Sequence, residues 1–269
     1  MKPNVLILRA PGTNCDVETA YAFEKAGAVA ERIHINRVLE KPELLAQFQI
    51  LCFPGGFSYG DDISSGRILS SQILHHLYEP LQAFREAGKL VLGICNGFQI
   101  LIKTGLLIPV TGEPLATLAW NNCGRFQDRW VELKKHPNCQ NVFLKGIDRL
   151  YIPAAHAEGR FVVKDAETLR QFEASGQIAL QYAPLDFSRF EEAAKYDVNG
   201  ILQYPDNPNG AVANIAGLGD TTGRVLGLMP HPERHIDPTQ HPQWTHMSEL
   251  PAEGEGLRMF RNAVEFFND

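Results

Sequence analysis

An apolar run, Leu90-Val91-Leu92, ends in Gly93-Ile94-Cys95-Asn96-Gly97-Phe98-Gln99. A strand that closes on Gly-x-Cys-x-Gly and continues into helix-forming residues makes a sharp strand-to-helix turn, with the cysteine presented at the helix start. Unpaired N–H groups and the positive end of the helix dipole at such a position favour a thiolate. Gly93 and Gly97 lack a Cβ, so the turn can form and the helix can pack close to the sheet. Cys95 therefore reads as a nucleophile. The plain alternative is a buried cysteine that only fills the core.

Two further strand ends carry matching chemistry. Val225-Leu226-Gly227-Leu228-Met229 reads as a buried strand and leads into Pro230-His231-Pro232-Glu233-Arg234. The prolines keep that segment extended, so side chains two apart point the same way; Glu233 can orient His231 while His231 moves a proton. Gln49-Ile50-Leu51-Cys52-Phe53 leads into Pro54-Gly55-Gly56-Phe57-Ser58-Tyr59-Gly60, a turn able to aim backbone N–H groups at a developing oxyanion. The expected donors are the N–H groups of Gly56 and Asn96. His-x-Glu and Pro-Gly-Gly are each weak signals alone. Their weight comes from sharing the C-terminal ends of strands, where open α/β sheets place their sites.

The rest of the chain fits that frame. Apolar runs alternate with helical stretches, as in a mainly parallel sheet covered on both faces. Strands are expected near Val5 to Leu8, Ala30 to Ile35, Ile50 to Phe53 and Leu90 to Ile94, with helices near Ile68 to Ala87, Gly97 to Thr104 and Leu257 to Phe267. Shorter pieces near Arg129 to Leu133, Leu150 to Pro153 and Phe161 to Val163 predict an antiparallel extension of the sheet, and Tyr204 to Gly210 a turn. With 269 residues, 44% of them hydrophobic, the expectation is one α/β domain over 1–269. A net charge of −6 gives no basic field, so nucleic acid is not an expected partner. Val5-Leu6-Ile7-Leu8 is too short for a signal core or a membrane span, and five cysteines without framework spacing suit a reducing compartment; a cytoplasmic location is expected.

Gly-Ile-Cys-Asn-Gly-Phe-Gln, the Pro-Gly-Gly loop and the late His-Pro-Glu resemble the class I, triad-type glutamine amidotransferases. Ala10-Pro11-Gly12-Thr13-Asn14-Cys15-Asp16, Gly55-Gly56-Phe57-Ser58-Tyr59-Gly60-Asp61, Ala155-His156-Ala157-Glu158-Gly159-Arg160-Phe161, Asn207-Pro208-Asn209-Gly210 and Met229-Pro230-His231-Pro232-Glu233-Arg234 are similar to the glutaminase subunits of phosphoribosylformylglycinamidine synthases. These blocks span the chain from the first strand to near its end.

The resemblance implies a flavodoxin-like α/β fold. It also implies hydrolysis of glutamine to glutamate and ammonia through a Cys95 thioester, with His231 as acid and base and Glu233 as its orienter. Gly55, Gln99, His156 and Glu158 would lie near bound glutamine. Ammonia would pass to a large synthetase subunit that uses ATP to make formylglycinamidine ribonucleotide, in many systems with a small accessory subunit. Neither cofactor nor metal is expected on this chain, ATP and magnesium belonging to the synthetase. Phe57, Tyr59 and Asp61, after the oxyanion turn, would cover substrate, meet the partner or simply pack their own loop.

The family loop is commonly His-Gly-Glu-Gly, so Ala157 would be strained if its position needs φ > 0. Apparent extra residues lie around Asp186 to Val198 and from Ile236 to Gly256. Cys15 reads as structural, Cys52 as core, and Cys123 and Cys139 lack zinc-ligand spacing. His75-His76 and Lys134-Lys135-His136 read as surface or packing residues. Rival readings are a cysteine peptidase or chaperone-like α/β protein, an amidotransferase domain serving another acceptor, and a scaffold subunit without activity.

Overall fold

The computed structural model describes residues 2–110, 112–185 and 195–268. Its centre is a nine-stranded sheet. Five strands run parallel: β1 (Asn4–Arg9), β2 (Val29–His34), β3 (Ile50–Phe53), β4 (Leu90–Ile94) and β11 (Val225–Leu228), adjacent in the order β2-β1-β3-β4-β11. Strands β3, β4 and β11 are buried along their whole length, as expected where helices cover both faces. Beyond β11 the sheet turns antiparallel through β10 (Ile215–Gly219), β9 (Ile178–Ala183), β6 (Gln127–Lys135) and β7 (Arg149–His156). This is the mainly parallel sheet with an antiparallel extension that the sequence implied.

The parallel register brings three strand ends together. Phe53 pairs with Gly93 and Leu228 with Ile94, so the Pro54 turn, Cys95 and the Pro230 loop leave the sheet side by side. α5 (Asn96–Lys103) follows β4 with every residue from Asn96 to Ile102 buried. It can sit so close only because residue 97 is glycine: a Cβ there would lie 1.9 Å from the Phe53 carbonyl oxygen. α1 (Asp16–Lys25) packs on α7 (Leu257–Glu265), where Phe23 meets Phe260 edge-on at 4.9 Å between ring centres.

The structure corrects several expectations. The helix expected from 68 to 87 is two, α3 (Arg67–His76) and α4 (Tyr78–Glu86), broken at Leu77 (φ −126°, ψ 3°). Pro80 explains the break, since its ring excludes the carbonyl of His76 and it has no N–H to continue the ladder; within the first turn of α4 neither matters. The segment near Phe161 does not join the main sheet. It forms β8 (Arg160–Val163), paired antiparallel with β5 (Ala116–Ala119) in a separate two-stranded sheet, and β5 had no expectation. α2 (Ile35–Glu40) and α6 (Ala166–Ala174) were also missed, each a short helix capped by a side chain, His34 and Asp165. Of the two apparent insertions, 186–194 lie outside the described residues. The second, after Ile236, carries short 3₁₀ turns at Pro238–Gln240 and Trp244–His246 and packs on the β6–β7 end through rings of Trp130, Tyr151, His235 and His241. Among the described residues no helix is long and apolar enough to cross a membrane.

Candidate active site

Cys95 is the residue before α5, with φ 51° and ψ −106°, a strained backbone for a non-glycine residue. Its N–H donates to the Leu228 carbonyl at 2.8 Å, and its carbonyl accepts from Phe98 and Gln99 N–H. The strain is thus locked from both sides, by the neighbouring strand and by the helix. The side chain is buried, and its S–H rests on the Ala155 carbonyl at 3.7 Å, at the end of β7.

His231 and Glu233 are both buried, with Nδ1 of the imidazole 2.7 Å from Oε1 of the carboxylate. A carboxylate accepts, so Nδ1 carries the hydrogen and Nε2 is left to react. Nε2 is buried and has no hydrogen-bond partner. Burial works against a proton on this ring. Glu233 first, then the sulfurs of Cys95 and Cys15, outweigh that and hold the His231 pKa well above its ordinary value.

The Gly56 turn sits beside Cys95. Cys15 N–H donates to Gly55 O and Phe57 N–H to Gly12 O, which fasten the turn to the segment after β1. The Gly56 N–H is not among these fastenings, and Asn96, first in α5, has no intrahelical acceptor for its own. Gly56 has φ 139°, and a Cβ there would fall 2.7 Å from Asn14 N, so glycine is obligatory.

The structure gives Asn96 and Gln99 side-chain work that the sequence did not suggest. Asn96 Nδ2 donates to Asp61 Oδ1 (3.0 Å) and to Gln99 Oε1 (2.9 Å), while its Oδ1 accepts from Ser58 N–H (3.2 Å). Gln99 Nε2 donates to the Glu158 carbonyl at 2.6 Å. Elbow, Phe57–Asp61 loop and His156–Glu158 loop are therefore one hydrogen-bonded unit. Glu158 accepts from Ser65 N–H at 3.3 Å, and Asp61 is raised by burial first, with Glu158 adding to it. Tyr59 bonds Gln72 at 2.8 Å and Phe57 is exposed next to Phe126.

His156 is buried close enough to His231 to feel its charge. Asn121 Oδ1 lies 3.1 Å from its Nδ1 and also accepts from Gly159 N–H, while Asn121 Nδ2 donates to the His156 and Arg125 carbonyls. That pattern fixes the amide orientation, so His156 Nδ1 is the donor and its buried Nε2 has no partner. Burial, then the neighbouring His231, lowers its pKa to about 3. Ala157 is not among the positive-φ residues, so the strain considered for its replacement of glycine does not arise.

Cys52 is core, as expected. Cys15 is buried too, but within the site: its sulfur and ligand atoms of His231 and Glu233 all lie within 4.8 Å of one another. Among the described residues these three form the single group of donors close enough to hold a metal ion, and the imidazole and carboxylate are spent on each other. In the sequence Cys15 stands out only as a member of the Ala10 to Asp16 block and by its place before a helix start, and it reads there as structural.

Residues 2–267 match the family described as a CobB/CobQ-like glutamine amidotransferase domain. A phosphoribosylformylglycinamidine synthase subunit PurQ from Dehalococcoides mccartyi is 46% identical, covering 98% of each chain. That from Archaeoglobus fulgidus is 36% identical over 97% of this chain and 96% of its own. Among solved structures, a chain of PurLQS from Thermotoga maritima superposes with a TM-score of 0.69 at 28% identity, over the full length of both. A glutamine amidotransferase from the same organism, at 15% identity and TM-score 0.51, shares the fold. Matched from end to end in this way, the chain belongs to the PurQ family of glutamine amidotransferases.

Proposed function

We propose that this chain hydrolyses glutamine and supplies the ammonia to the synthetase that converts formylglycinamide ribonucleotide to formylglycinamidine ribonucleotide. The observation that carries the chemistry is the His231 ring, with Nδ1 locked on Glu233 and Nε2 buried and unpartnered beside the Cys95 sulfur.

His231 Nε2 holds the proton given up by Cys95 while the sulfur bonds the side-chain carboxamide carbon. The oxygen of that group, now negative, accepts from the N–H groups of Gly56 and Asn96. His231 returns the proton to nitrogen, the C–N bond breaks, and ammonia leaves a thioester on Cys95. Water then attacks the thioester as Nε2 removes its proton; the C–S bond breaks and glutamate departs. Gln99, hydrogen-bonded at both ends of its amide, holds the Glu158 loop and Asn96 in place, and Gly55, His156 and Glu158 line the approach for glutamine.

Ammonia in neutral water is mostly ammonium and cannot act as a nucleophile, so the reaction serves a docked acceptor enzyme. That partner is the large synthetase subunit, with a small accessory subunit, and it carries the ATP and magnesium; this chain needs no cofactor. The protein works as one domain in the cytoplasm. The PurLQS structure, one chain of which matches this one over its full length, supports the assembly.

Mixing the chain with its synthetase and comparing glutamine with ammonium as nitrogen donor tests this. Cys95→Ala should abolish synthesis from glutamine and leave synthesis from ammonium. Loss of neither would revive the scaffold reading, and peptide cleavage without glutamine cleavage the peptidase reading.

A further inference from the structure

Cys15 is a buried thiol in the site for which the chemistry above has no use. Its position is set from several directions. Its N–H bonds the Gly55 carbonyl, and its own carbonyl receives both the N–H and the hydroxyl of Thr19, the latter at 2.6 Å. The sulfur accepts from Arg234 Nη2 at 3.1 Å, and its S–H donates to Asn14 Oδ1 at 3.3 Å. Arg234 is held in turn by Glu18 at 2.8 Å. A methyl group on Gly55 would lie 2.7 Å from His231 Cε1 and 3.1 Å from the Cys15 sulfur, so ring and sulfur share one wall of the site.

Glu233 engages only one of its two carboxylate oxygens. Oε1 is bonded to His231, but Oε2 is buried with no hydrogen-bond partner. A lone carboxylate oxygen of that kind draws water if room is left for it. The Cys15 sulfur lies within 4.8 Å of an oxygen of this carboxylate. Resting on the function proposed above, we infer that Cys15 is a positioning residue for the general base: its sulfur, gripped by Arg234, wedges the His231–Glu233 pair against the Gly55 turn and keeps water off the carboxylate.

The electrostatic consequence has a sign. The charged and titratable groups acting on His231 are Glu233 on its own loop, Cys95 at the elbow, Cys15 before α1 and His156 at the end of β7; the charge of Glu233 also reaches Cys52 in β3, and Arg234 bonds the Cys15 sulfur. Of these, Glu233 does most to hold a proton on the ring. Water admitted beside Glu233 screens that attraction and lowers the basicity of His231.

The test compares wild type, Cys15→Ala and Cys15→Ser, each with the synthetase present, by glutamine hydrolysis across pH. Cys15→Ala should lower kcat about tenfold with KM within about twofold, and move the alkaline limb of kcat/KM down by about half a pH unit. Cys15→Ser, which keeps an acceptor for Arg234 and a donor for Asn14, should restore most of kcat and the limb. A second readout needs no turnover: the low-field proton resonance of the His231–Glu233 bond should be present in wild type and Cys15→Ser, and broadened by water exchange in Cys15→Ala. An unmoved limb and an unbroadened resonance in folded Cys15→Ala overturn the inference. Absence of glutamine hydrolysis in wild type would instead sink the proposed function.

Discussion

His231 Nδ1 and Glu233 Oε1 lie 2.7 Å apart in a part of the molecule closed to solvent, between the Gly55 turn and the end of β7. In the proposed function Glu233 selects the tautomer and stabilises the imidazolium. Glu233→Gln keeps the shape and loses the charge, and its amide can present a hydrogen to Nδ1, which selects the wrong tautomer. Glutaminase kcat should fall by roughly 100-fold or more. Steady-state assays of the complex check this; a loss under threefold would remove Glu233 from the mechanism.

Gly97→Ala should fail through packing. The added Cβ would meet the Phe53 carbonyl, a backbone atom that cannot turn aside, so α5 must move off the sheet. A destabilisation of about 2 kcal/mol or more is expected from urea unfolding, together with loss of activity because Cys95 rides on the same helix.

Gly56→Ala tests the oxyanion turn. At φ 139° an alanine is strained, and its methyl group would press on Asn14 N and Gly12 O. The turn should shift, cutting kcat by roughly 100-fold through loss of one donor, with a smaller change in KM. An unchanged kcat in the folded variant would exclude the Gly56 N–H as a donor.

His156 makes the fold sensitive to acid. Its pKa is near 3 in the folded chain and near 6.5 unfolded, so the unfolded state binds the extra proton between those values. Its contribution is fully present above about pH 6.5 and is lost as pH falls toward 3. From pH 7.5 to 5.5 that amounts to about 1.4 kcal/mol. His231 shifts the opposite way and is protonated in both states throughout the lower part of this window. Urea unfolding of wild type and His156→Gln at the two pH values should show the change in stability on going from pH 7.5 to 5.5 to be more favourable in the variant by about that amount. Equal slopes would show that His156 does not carry the effect.

What the sequence determined was local. Leu90-Val91-Leu92 before Gly-Ile-Cys, Val225 to Met229 before Pro-His-Pro-Glu, and Ile50 to Phe53 before Pro-Gly-Gly each state a strand, a turn and a reactive group within about a dozen residues. Apolar continuity and glycine or proline chemistry act over that range, so the parallel core and the candidate triad were legible before any fold was in hand. Tertiary structure decided which groups share a space. Cys15 and Arg234 are 219 positions apart and meet only because β1 and β11 end at the same side of the sheet; Asn121 reaches His156 across 35 positions, and Gln99 reaches the Glu158 carbonyl across 59. Long-range pairings of this kind depend on strand order and register, which no single stretch of chain encodes. The same is true of Phe161-Val162-Val163, a short apolar run that marks a strand but not the sheet that accepts it.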